Sequence, residues 1–176
     1  MLRPPGPKTD DFVDASVQAH GSGTIERSFR ASQLPRVCEA GIVEPADIHL
    51  TVRFSNVEGH VAMDGSLRGR VTMTCQRCMQ PAPVEVEDEF QLMIVDSEAE
   101  RVEREAAGGS YEPIVADPAR LDTRWLAEEQ TLLAVPLVAK HADETCASGV
   151  AAPAAATEQN GAQRPFADLR KLLRDR

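Results

Sequence analysis

The sequence predicts an α+β fold: mainly an antiparallel β-sheet meander, with one helix near residues 122–135 and a short C-terminal helix. Three observations lead there. Residues 48–95 contain successive runs in which apolar and polar side chains alternate. Short connections separate those runs, which suits antiparallel neighbours better than helical crossovers. Beyond Asp122, and again beyond Pro165, the apolar spacing changes to that of an amphipathic helix.

Taken in order, residues 1–23 are rich in Pro, Gly, Asp and Ser and lack an apolar period, so they read as a loose N-terminal arm. Ile25 and Phe29 share a parity in a short strand over 24–30, with Arg27 on the same face. Leu34, Val37 and Cys38 fit one face of a short helix over 33–40, ended by Gly41. Ile48, Leu50, Val52 and Phe54 alternate with His49, Thr51, Arg53 and Ser55 as a half-buried strand. Two further strands are predicted at 60–67 and 70–74, with a turn between them. Val84, Val86, Phe90, Leu92 and Ile94 then share one parity, the clearest strand pattern in the chain.

Residues 96–110 are acidic and run through Ala106-Ala107-Gly108-Gly109, which predicts a long exposed loop. Asp122 or Thr123 caps a helix whose apolar positions are Trp125, Leu126, Leu132 and Leu133, and which stops before Pro136. Glu128 and Glu129 read as surface charges or helix-end partners. The ordered part is therefore a single α+β domain over 24–146. A low-complexity tether over 147–164 follows, and Pro165 opens a basic amphipathic helix over 165–176 carrying Phe166, Leu169, Leu172 and Leu173.

With 42% hydrophobic and 27% charged residues the chain should fold, and only 4% aromatics leaves a core of Val, Leu, Ile and Met. The formal net charge of -9 repels naked RNA at long range and suits a basic protein partner better. Direct RNA contact would need a local patch, for which Arg77 and the terminal Arg170, Lys171 and Arg174 are the candidates. The first residues hold no apolar stretch suited to a signal peptide, and no segment is long enough to span a bilayer. A cytoplasmic protein without a membrane partner is expected.

Cys75 and Cys78 form a Cys-x-x-Cys pair, and His141 and Cys146 supply two more groups of ligand type much further along. Three readings stay open. The four residues make a closed structural zinc site, or Cys75 and Cys78 are a redox pair, or the cysteines form a tight turn that merely packs. Cys38 stands apart as ordinary packing. No Ser/His/Asp pattern, phosphate-binding loop or dinucleotide fingerprint is found, and Glu128 and Glu129 point about 100° apart on a helix, so an enzyme is disfavoured.

The segment Thr74-Cys75-Gln76-Arg77-Cys78, followed by an alternating strand, resembles the YceD family. So does the block from Glu128 to His141, with Cys146 after it, and so do Tyr111-Glu112-Pro113-Ile114 and Pro165-Phe166-Ala167-Asp168-Leu169. These blocks span roughly residues 25–176 in the family's order, whereas 96–109 and 147–163 are not family signatures. The resemblance implies a non-enzymatic factor for synthesis, processing or stability of large-subunit ribosomal RNA. Its implied partners are a pre-ribosomal large subunit, a basic ribosomal protein or the RNA itself.

Overall fold

Alternation of apolar and polar side chains drives three long strands, β3 (Val43–Val57), β4 (His60–Thr74) and β5 (Pro81–Val95), into one antiparallel meander. The computed structural model describes residues 11–142 and Cys146. The first ten residues of the arm, the 147–164 tether and the C-terminal helix, with Arg170, Lys171 and Arg174, lie outside the described residues.

Two edge strands complete the sheet in the order β2-β3-β4-β5-β6. β2 (Thr24–Arg30) is antiparallel to β3, and β6 (Glu112–Val115) runs parallel to β5. Ile48, Leu50, Val52 and Phe54 of β3 are buried together with Met63, Leu67 and Val71 of β4. Full burial of such a side chain contributes about 1.5–3 kcal/mol. Against this face pack α1 (Ala15–His20), α2 (Pro35–Glu39) and α4 (Thr123–Ala134), through Ala15, Ala19, Val37, Leu126 and Ala127. Glu58 and Gly59, both with positive φ, make the two-residue turn from β3 to β4, a conformation whose twist matches that of the strands it joins. The α+β class, the antiparallel meander and the helix after Asp122 are as predicted.

The structure departs from the predicted order in three places. Residues 98–107 are not a loop but a helix, α3 (Glu98–Ala107), capped by Ser97 and ended by Gly108 at φ 73. It buries no side chain. Instead Arg101 pairs with Glu98 and Glu105, and Arg104 with Glu100, so ion pairs one helical turn apart replace an apolar stripe, while Arg104 also reaches Glu58 in the turn from β3 to β4.

The described residues of the predicted arm form regular elements. β1 (Phe12–Val13) pairs antiparallel with β7 (Leu121–Asp122), Thr123 Oγ1 donates to the Asp11 carbonyl at 2.7 Å, and Arg120 stacks 4.3 Å from the Phe12 ring. Asp14 then caps α1.

β4 is one strand, not two. Its interior glycines are there for close approach rather than for turning. A Cβ on Gly65 would lie 2.0 Å from Phe90 Cζ, and one on Gly69 would lie 2.3 Å from the Asp47 carbonyl oxygen.

Candidate metal centre

The turn from β4 to β5 is built to present sulfur. The Cys75 N–H donates to the Gln80 carbonyl and the Met79 N–H to the Cys75 carbonyl, each at 2.9 Å, with Met79 at φ 59. The tight turn aims successive N–H groups at the Cys75 sulfur, Arg77 N lying 3.5 Å from Sγ. A second segment reaches this turn from α4. Pro136 ends the helix, and the Gln76 N–H then donates to the Ala139 carbonyl at 2.9 Å, fixing the approach of His141.

Cys75 Sγ lies 3.3 Å from Cys146 Sγ, and Cys78 Sγ lies 3.5 Å from His141 Nδ1. One ligand atom from each of the four residues lies within 4.8 Å of all the others. Cys75 and Cys146 are buried, while Cys78 and His141 are half-buried. His141 Nε2 sits 2.9 Å from the Pro81 carbonyl oxygen, which only accepts hydrogen bonds. That contact keeps the proton on Nε2 and leaves Nδ1 as the basic nitrogen of the neutral ring, on the side of the sulfurs.

Backbone N–H groups of Cys78, Arg77 and His141 pointing at Cys75 bring its thiol down to about 5, against the opposing effect of burial. Cys146 moves the other way, up to about 11, because it is buried and sits against the Cys75 and Cys78 sulfurs. The surroundings thus favour the thiolate at Cys75 and the neutral thiol at Cys146. A tetrahedral zinc with bonds of about 2.3 Å to sulfur requires sulfurs about 3.8 Å apart; Cys75 and Cys146 stand closer than this, at 3.3 Å, and all four ligand atoms lie within 4.8 Å of one another. The donor set, three sulfurs and one imidazole, is of the closed four-ligand type.

The geometry bears unequally on the other two readings of the cysteines. Cys75 lies on a turn between antiparallel strands rather than at a helix N-terminus in a βαβ unit, where a redox pair would belong. Packing explains the burial of Cys75 and Cys146 beside Ala82, apart from the main core. The imidazole nitrogen facing the sulfurs, 3.5 Å from Cys78 Sγ, can accept a thiol hydrogen bond as well as serve as a fourth ligand.

Of the predicted contact residues, Arg77 is exposed at the tip of the turn and makes no ion pair with the described residues. Glu128 is not a surface charge. It is buried and accepts the Arg36 N–H at 2.9 Å, while Glu129 pairs with the Arg36 guanidinium at 2.7 Å. Leu126 is buried as predicted, but Trp125 and Leu133 are exposed. Ser28 Oγ and His49 Nδ1 lie 2.9 Å apart as an exposed cross-strand pair, which the sequence reading missed because the two residues stand on different strands. Cys38 keeps its sulfur on the Ala31 carbonyl at 3.0 Å, away from the cluster. No helix among the described residues is long and apolar enough to cross a membrane.

Residues 63–173 match the family model described as large ribosomal RNA subunit accumulation protein YceD. That match contains all four residues of the cluster. A Haemophilus influenzae protein named large ribosomal RNA subunit accumulation protein YceD is 30% identical over 120 residues, which covers 67% of each chain. No solved structure matches. By the extent of the family match and by this relative, the chain belongs to the YceD family.

Proposed function

We propose that the chain is a non-enzymatic factor acting in the bacterial cytoplasm. It supports the synthesis, processing or stability of large-subunit ribosomal RNA, with one structural zinc held by Cys75, Cys78, His141 and Cys146. The observation that carries this reading is the convergence of four closed-site ligands in a chain of this family. Zinc in such a site supplies positive charge and a cross-link, not a reactive position. The chain's own residues do the rest. The knuckle N–H groups hold the Cys75 thiolate, Pro81 orients His141, and the Ala139 contact ties the segment after α4 to the end of the sheet.

The net charge of -9 favours a basic protein of the pre-ribosomal large subunit as the direct partner. A second reading, direct RNA contact, is favoured by the exposed Arg77 guanidinium, a planar fork suited to phosphate. Cells deprived of the chain should show large-subunit RNA depleted relative to small-subunit RNA, restored by the wild-type chain and not by Cys75→Ser/Cys78→Ser. An unchanged RNA ratio on depletion sinks the proposal. RNA binding by the purified chain that weakens steeply with salt and with Arg77→Ala would favour the second reading.

A further inference from the structure

Two sulfurs of the cluster are already in contact. Cys75 Sγ and Cys146 Sγ lie 3.3 Å apart, buried together against Ala82 at 0% and 8% exposure. A disulfide bond is about 2.05 Å long, so this pair needs to close by only about 1.3 Å. Cys78 Sγ lies 3.5 Å from His141 Nδ1, and these two ligands form the half-buried side of the cluster.

Which sulfurs join decides what happens to the fold. A bond from Cys75 to Cys78 would close inside the turn from β4 to β5 and hold nothing else. A bond from Cys75 to Cys146 spans 71 positions and ties that turn to the segment beyond α4, the same two parts that a metal on all four ligands would join.

We propose that the cluster is a redox switch in which a peroxide links Cys75 to Cys146 and the metal is expelled. Cys146, the more open of the pair, takes one oxygen from hydrogen peroxide and becomes a sulfenic acid, while the other oxygen leaves as hydroxide. The Cys75 thiolate then attacks the Cys146 sulfur. The S–S bond forms, the S–O bond breaks and a second hydroxide leaves. The two sulfurs lose two electrons and the peroxide gains them. With both thiolates oxidised, Cys78 and His141 are left as half of a four-ligand set, too few to hold Zn²⁺, which departs with its charge unchanged. Expulsion rests on the zinc reading given above, whereas the choice of sulfur pair rests only on the contact at 3.3 Å. Oxidation thus removes the metal and keeps the cross-link, whereas chelation removes both.

The test uses the full chain with Cys38→Ser, which removes the exposed thiol outside the cluster, treated with hydrogen peroxide in zinc-loaded and in chelated form. Peptide mapping without reductant should find Cys75 joined to Cys146 in both samples, with Cys78 free to alkylate. The loaded sample should release about one zinc per chain to a colorimetric chelator, and a thiol reductant should let it rebind. The oxidised chain should unfold at least about 5 °C above the chelated, reduced chain, because a bond across a long loop constrains the unfolded state. A chain that takes up no zinc defeats the metal reading, and mapping of that same chain still decides the pairing. A bond from Cys78 to either other cysteine, or sulfinic acids with no bond at all, overturns the proposal. So does zinc that stays bound once Cys75 and Cys146 are joined.

Discussion

The buried carboxylate of Glu128 accepts the backbone N–H of Arg36 at 2.9 Å, across 92 positions of sequence. Pro35 opens α2, and no side chain of the preceding residues caps that helix. Glu128 therefore does for α2, from another helix, what a local cap does elsewhere. Glu128→Ala should lower unfolding stability by about 1–3 kcal/mol, because it leaves a donor without a partner. Glu128→Gln keeps an acceptor and should lose less. Denaturant midpoints of the two variants decide this, and equal losses would refute the capping role.

Protein prepared without added metal or a metal-binding tag should carry about one zinc per chain. Chelation should lower its thermal midpoint by at least about 5 °C. Cys75→Ser and Cys78→Ser should each abolish the bound zinc, whereas Cys38→Ser should leave it unchanged. Metal content well below one per chain, with no response to chelation, would return the four residues to ordinary packing.

The metal-free chain should show a pH dependence traceable to Cys75. Its folded-state value of about 5 lies below the ordinary 9.0, so its stabilising contribution is complete above about pH 9 and is lost as pH falls towards 5. Cys146, raised to about 11, acts in the opposite sense and takes stability away as pH rises from 9 to 11. Denaturation of the chelated protein across pH 5–9 should slope accordingly, and Cys75→Ser should flatten that slope. A Cys75→Ser profile parallel to the wild type contradicts the assignment.

Gly65→Ala should destabilise the fold by about 1–3 kcal/mol, since the new methyl group meets the Phe90 ring at 2.0 Å and the ring must leave its place. Phe90→Leu in the same chain should recover part of the loss. Thermal unfolding of the single and double variants, read as a cycle, measures that coupling.

What the sequence made legible follows from the range of the interactions involved. Period-two alternation is local, so β3 and β5 could be read from Ile48–Phe54 and Val84–Ile94 directly. The helix after Asp122 carried its own cap and its own stop at Pro136. α3 was hidden because its support is Glu98–Arg101 and Glu100–Arg104 pairing rather than apolar spacing, and acidic composition alone suggested a loop. β4 looked divided because Gly65 and Gly69 resemble turn residues until Phe90 and Asp47 are seen against them. The four side chains of the candidate metal centre were visible as Cys75, Cys78, His141 and Cys146. Their meeting was not, since it depends on Gln76 reaching Ala139 and on Pro81 reaching His141. The Arg36–Glu128 contact left no trace in either segment.

Cys75 and Cys146 stand 71 positions apart, with β5, β6 and α4 made in between. At ordinary rates of translation that interval is about 4–14 s, during which the first two sulfurs are already made and the last is not. A cluster ordered in this way cannot be complete before Cys146 is made, after the strands and the helix that surround it.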